Sequence, residues 1–183
     1  MNNTFPTEEN LSGLNRKDFQ KDIDDKQTDL FILRNKKGME VAVTNYGCAI
    51  LSIMVPDKNG KYANVILGHD SIDHVINSPE PFLSTTIGRY GNRIAKGKFT
   101  LFGEEHELTI NNGPNSLHGG PTGFHARVWD AIQIDESTVQ FNYVSADGEE
   151  GFPGNLEVEM TYRLENEVNA LTIESVSYTH LRA

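Results

Sequence analysis

The segment from Leu156 to Leu164 limits the fold more than any other part of the chain. Leu156, Val158, Met160 and Tyr162 alternate with Glu157, Glu159, Thr161 and Arg163. Successive side chains of a strand point to opposite faces, so this segment is a strand with one apolar face that a second layer must cover. The same period recurs upstream. Met39, Val41 and Val43 alternate with Glu40, Ala42 and Thr44, which predicts a half-buried strand. Leu30–Leu33 is an apolar run closed by Asn35-Lys36-Lys37-Gly38. Ile50–Val55 is stopped by Pro56-Asp57 and the Asn59-Gly60 turn, and Val65–Leu67 follows. Phe99–Leu101 and His106–Ile110 flank Gly103 as a hairpin. Val128–Ile134 and Val139–Val144 pair across Asp135–Thr138, and Ala170–Ile173 opens a last strand. One short helix is expected over Asp70–Ile76, capped by Asp70 or Ser71 and ended by Pro79 and Pro81. Many short strands at this spacing define an all-β chain, an antiparallel β-sandwich or barrel. Residues 1–28, polar and poor in apolar side chains, read as a loosely ordered lead-in.

Charge and cysteine content narrow the partners. With 26 Asp and Glu against 16 Lys and Arg, the net charge is −10, which argues against nucleic acid and anionic membrane surfaces as partners. The single cysteine, Cys48, forms no internal disulfide. Residues 1–28 lack the apolar core of a signal peptide, and no run is apolar and long enough to span a bilayer, so the cytoplasm is the expected compartment. None of the six histidines forms a His-x-x-x-His pair, and no metal site is expected. The glycines match neither a phosphate-cradling loop nor a nucleophile elbow.

Polar groups set among glycines are the candidate site. Asn92 and Arg93 lie in Gly88-Arg-Tyr-Gly-Asn-Arg-Ile, and His118 precedes Gly119-Gly120. Arginine offers five donors and keeps its proton, and asparagine both donates and accepts, so the pair suits sugar hydroxyls or a ring oxygen. Equally, these groups suit loop carbonyls or nearby acids. Imidazole donates, accepts or shuttles protons, and the two glycines leave room for a ligand beside it; a buried structural histidine fits the same spacing. Asp147, Glu149 and Glu150 share a Gly- and Pro-rich stretch between two strands. Paired carboxylates serve glycoside hydrolysis, but the turn content favours a structured hairpin connection.

Taken in order, Asn45-Tyr-Gly, Val55-Pro-Asp, Leu67-Gly, Gly88-Arg-Tyr-Gly-Asn-Arg-Ile-Ala-Lys-Gly-Lys-Phe, Asn115-Ser-Leu-His-Gly-Gly, Gly123-Phe and Asp147-Gly-Glu-Glu-Gly-Phe-Pro-Gly resemble the aldose 1-epimerase, or galactose mutarotase, family. The resemblance covers residues 29–174. It implies a large antiparallel supersandwich that interconverts the α and β anomers of free aldohexoses without a cofactor, through acid–base opening of the ring. It also implies that Asn92, Arg93 and His118 contact the monosaccharide. Gly91 stands where the family commonly has alanine. A non-catalytic carbohydrate-binding β-sandwich, a sugar-phosphate epimerase and a glycoside-hydrolase accessory domain are the competing readings. The chain shows no added basic residues for a phosphate, and the Asn92-Arg93 and His118-Gly-Gly pairings favour the epimerase over the accessory domain.

The family's catalytic histidine, in an Asn-His-Ser-Tyr-Phe motif, and its catalytic glutamate match nothing in these 183 residues. Residues 175–183 depart from the family pattern, and His180 has the wrong neighbours for the acid. The expectation is a truncated sandwich, the N-terminal portion of a mutarotase, inactive as a 183-residue polypeptide. With part of its inner face uncovered, that polypeptide is expected to be marginally stable or to self-associate. Centrifugation and thermal unfolding check this, and a reversible, cooperative melt of a monomer contradicts it.

Overall fold

The computed structural model describes residues 10–180. Residues 1–9 of the lead-in and 181–183 of the tail lie outside the described residues. A short ribbon, β1 (Asp22–Ile23) and β2 (Lys26–Gln27), precedes the first sheet, in which β3 (Leu30–Arg34), β4 (Glu40–Thr44), β5 (Ile50–Pro56) and β6 (Tyr62–Asn64) run antiparallel in sequence order. The helix α1 (Ile72–Ile76) follows, with Ser71 as its cap. The connecting region holds β7 (Arg93–Ile94), β8 (Lys98–Leu101), β9 (Glu104–Glu107) and β10 (Ser116–Leu117), paired β7 with β10 and β8 with β9. A second antiparallel sheet closes the fold, with β11 (Asp130–Gln133), β12 (Thr138–Ser145), β13 (Asn155–Leu164) and β14 (Leu171–His180) again in sequence order.

The two four-stranded sheets face each other as a β-sandwich. Leu33, Val41 and Val43 of the first sheet meet Val139, Phe141, Val158, Met160, Tyr162 and Leu164 of the second, with Trp129 fully buried among them. The apolar face read in Leu156–Leu164 is this inner face. Between β4 and β5 the register shifts, so that Val43 pairs with Ile50 while Ala42 pairs with Ser52. Leu51 is the extra residue, and the bulge turns both Ile50 and Ile53 toward the main core. The turn after β3 also ties the sheets together. Its Asn35 side chain accepts from the amides of Lys37 and Met39 and donates to the carbonyls of Glu165 and Val168, in the turn between β13 and β14 of the opposite sheet.

Three expectations change. β4 is buried on both faces rather than one, because a second apolar cluster of Phe19, Leu30, Ala42, Ala49, Leu51, Ile72 and Val75 covers the outer face of its sheet. The cover is Phe19 of the lead-in together with Ile72 and Val75 of α1. Residues 10–28 are structured and not loose: Phe19 is fully buried, and the Thr28 hydroxyl donates to its carbonyl at 2.7 Å. The buried carboxylate of Glu40 accepts from the amides of Leu11 and Ser12 and from Arg34 Nε, each at 3.0 Å. One aromatic and one buried acid order a polar stretch. Val65–Leu67 is not a strand, because β6 stops at Asn64, whose side-chain oxygen takes the amides of Ile53 and Ile66; Val65 and Leu67 are exposed.

The last strand runs on past Ser175. β14 pairs with β13 from Leu171 opposite Leu164 to His180 opposite Asn155. Ladder pairing uses backbone groups, so a change of side-chain pattern does not interrupt it.

If the lead-in is part of the core, Phe19→Ala destabilises the chain by about 3 kcal/mol and speeds amide exchange across residues 16–28. Urea unfolding followed by exchange measures both, and unchanged stability would contradict the second core.

Candidate functional site

The three predicted residues meet where β7 pairs with β10. Arg93 lies opposite Leu117 in that ribbon, Asn92 immediately precedes it and His118 immediately follows it. Both flanking residues have left-handed backbones, φ 68° at Asn92 and 53° at His118. The Asn92 amide donates to His118 Nδ1 at 2.9 Å, and the His118 amide donates to the Asn92 carbonyl at 3.0 Å. Since Nδ1 accepts, the neutral ring carries its proton on Nε2 and offers a donor there. Arg93 Nε donates to Asn112 Oδ1 at 2.9 Å, and its Nη1 donates to Asn92 Oδ1 at 3.4 Å. Both partners are amides. Among the described residues no carboxylate pairs with Arg93, whereas Arg16, Arg34, Arg127 and Arg163 each have one.

The glycines beside His118 have a different role from the one expected. Gly119, at φ 87°, presses on the Gly88 backbone so closely that a Cβ would lie 1.8 Å from the Gly88 carbonyl oxygen. A Cβ on Gly120 would meet the Glu150 carboxylate at 2.6 Å. Their small size admits neighbouring protein, not an open ligand space. A third neighbour supports the histidine: the Phe82 ring lies 4.8 Å from the His118 ring and 4.6 Å from the His125 ring. His125 is buried, and Nδ1 of its ring has no hydrogen-bond partner among the described residues. Burial, reinforced by the nearby His118 ring, pushes its pKa down to about 4.

The carboxylates of the Asp147–Gly154 stretch are taken up by structure, as its turn content suggested. Glu149 accepts from the Tyr143 hydroxyl at 2.5 Å and from the Ser145 hydroxyl, and pairs with Arg127 at 2.8 Å. Glu150 accepts from the amide and hydroxyl of Thr122, holding the loop after His118. Asp147 takes the amide of Gly154. Arg89 reaches across to the same hairpin. It donates to Ser145 Oγ and to the carbonyls of Pro153, Ser145 and Ala146, all within 3.0 Å, and lies over the Phe152 ring. Loss of solvent around Arg89 lowers its pKa from the usual guanidinium value. Sequence reasoning missed Phe82, His125 and Asn112, which neither periodicity nor spacing connects to the site. Among the described residues no three His, Cys, Asp or Glu side chains converge as metal ligands, and no helix is long and apolar enough to cross a membrane.

Two facing antiparallel sheets, joined through a region that carries Asn92, Arg93 and His118, define a mutarotase-like β-sandwich. An aldose epimerase homologue from Caenorhabditis elegans superposes with a TM-score of 0.79 at 31% identity, over 84% of this chain and 46% of that one. Galactose 1-epimerase from Lactobacillus acidophilus does so with a TM-score of 0.71 at 32% identity, over 85% and 46%. The chain belongs to the aldose 1-epimerase family, whose model matches residues 29–179. That match runs five residues past Glu174. Galactose mutarotase from Bos taurus is 43% identical over 127 residues, which are 69% of this chain and 36% of that protein. The chain thus spans less than half the length of each of these relatives.

The buried His125 makes stability depend on pH. Its folded pKa lies below the ordinary 6.5, so the unfolded chain takes up a proton first as pH falls. The sandwich therefore loses stability between pH 6.5 and about 4, at about 1.4 kcal/mol per pH unit from this group. His125→Leu removes that component of the acid slope. Urea unfolding of both proteins at pH 7 and pH 5 checks it, and parallel losses would assign the slope to other groups.

Proposed function

We propose that the chain supplies the sugar-binding wall of an aldose 1-epimerase, which interconverts the α and β anomers of a free aldohexose by opening and reclosing its ring. The observation that carries this reading is the joint presentation of an unneutralised guanidinium, Arg93, and an imidazole with its proton on Nε2, His118, from adjoining strands. Both are donors. The ring oxygen and hydroxyls of an aldose are acceptors, and the ring oxygen gains negative charge as its bond to C1 breaks. A fixed cation and a fixed N–H stabilise that charge without giving up a proton. Asn92 orients the imidazole through its amide and Arg93 through its side chain, so it acts both as a contact and as a brace.

Ring opening also needs a group that takes the proton of the C1 hydroxyl and one that gives a proton to the ring oxygen. The resemblance assigns the first to a glutamate and the second to a histidine, neither of which has a match in the 183 residues. Asp147, Glu149 and Glu150 are already engaged in holding loops. The 183-residue polypeptide is therefore read as competent for recognition and not for turnover.

Titration with glucose or galactose, followed by heteronuclear NMR, tests recognition. Shifts are expected at Asn92, Arg93 and His118, and Arg93→Ala or His118→Ala should weaken affinity roughly tenfold each. Polarimetry of fresh α-glucose should show the buffer rate with the 183-residue chain added. Unchanged affinity in both variants would overturn the site, and mutarotation well above buffer that His118→Ala abolishes would overturn the division of roles.

A further inference from the structure

We infer that Asn112 is the positioning residue for Arg93, a neutral acceptor on a hydrogen-bonded turn that fixes the guanidinium by its Nε and leaves Nη2 for ligand; this rests on the sugar-binding role proposed for Arg93. Asn112 Oδ1 accepts from Arg93 Nε at 2.9 Å across a separation of nineteen residues. The acceptor stands on a fixed backbone. The amide of Asn112 donates to the Asn115 carbonyl at 3.1 Å, and the Asn115 amide donates back to the Asn112 carbonyl at 3.0 Å, closing a tight turn over Gly113-Pro114. Beside it, Asn111 takes the amide of Leu117 at 2.7 Å and gives its side-chain N–H to the Leu117 carbonyl at 2.9 Å. Leu117 lies opposite Arg93 and next to His118. Two consecutive asparagines thus brace the two sides of one site, Asn112 through the arginine and Asn111 through the strand that delivers the histidine.

Such a brace matters because arginine is long and costly to order. Fixing its rotamers before the ligand arrives removes that cost from binding. An exposed arginine without an acid partner gains this order only from neutral acceptors, and Asn112 supplies the shorter of its two contacts. The remaining N–H groups keep a fixed direction, which a ligand with acceptors at set positions requires.

The test uses the 183-residue chain with Asn112→Ala, Asn112→Asp and Arg93→Ala, alone and combined, with galactose as the probe. The Arg93 Nε–H resonance reports the brace without any ligand. Asn112→Ala is expected to shift it toward free arginine and to weaken galactose binding roughly tenfold, with no added loss when combined with Arg93→Ala. Asn112→Asp keeps an oxygen acceptor in place but sets a carboxylate against the guanidinium, so it is expected to hold the resonance while leaving affinity reduced. An unmoved resonance in Asn112→Ala, or additive losses in the double variant, would overturn the positioning role. If Arg93→Ala leaves galactose binding intact, the sugar site itself fails, while the resonance still decides whether Asn112 braces the arginine.

Discussion

The contact between the inner faces of the two sheets is the constraint from which the site follows. Neither sheet can leave Val41, Val43, Phe141 or Tyr162 in water, so the chain must return across the gap after β6. That return is anchored at Trp129, whose ring is buried and whose indole N–H donates to the Phe124 carbonyl at 3.1 Å. The Asn45 side chain holds Trp129 from the other sheet, by donating to its carbonyl at 3.0 Å. Phe124 then packs its ring on Gly88, and Gly88 in turn meets Gly119. Each step is a close contact between small or buried groups. The core thereby sets the position of the backbone that carries His118.

Three arginines near this path show how environment divides chemistry among identical side chains. Arg89 is partly buried and its fork is spent on one hydroxyl and three carbonyls, so it holds a hairpin in place. Arg127 is neutralised by Glu149, an acid that also takes two hydroxyls. Arg93 is exposed, touches only amide oxygens among its described partners, and keeps its charge. Only the last has both charge and donors to offer.

Much of the fold was legible because strand periodicity is local. Leu156–Leu164 announced its buried face directly, and Asp70-Ser71 announced the start of α1, whose cap is Ser71. Burial of β4 on both faces was not legible, since the covering residues come from two separated stretches, a polar lead-in with the single aromatic Phe19 and a short helix with Ile72 and Val75. At the site, the residue types pointed to sugar chemistry through motif order, but not to their arrangement. The exchange of hydrogen bonds between Asn92 and His118 links positions twenty-six residues apart through left-handed backbones that neither residue type declares. Gly119 and Gly120 misled for a related reason. A glycine signals a close approach without saying whether the partner is a ligand or the protein's own backbone.

The site ribbon has little stability of its own. β7 and β10 contribute two residues each, far below the length at which an isolated hairpin persists in water. What holds them is sideways attachment: Asn111 to Leu117, the Lys96 amide to Asn115, Asn92 to His118, and Gly119 to Gly88. All of these depend on loops that the sandwich places. Geometry at Arg93 and His118 is therefore coupled to the packing of the whole fold rather than to local strand propensity. Geometry in such a site is a property of the assembled sandwich, and Asn92, Arg93 and His118 inherit their precision from residues elsewhere in the fold.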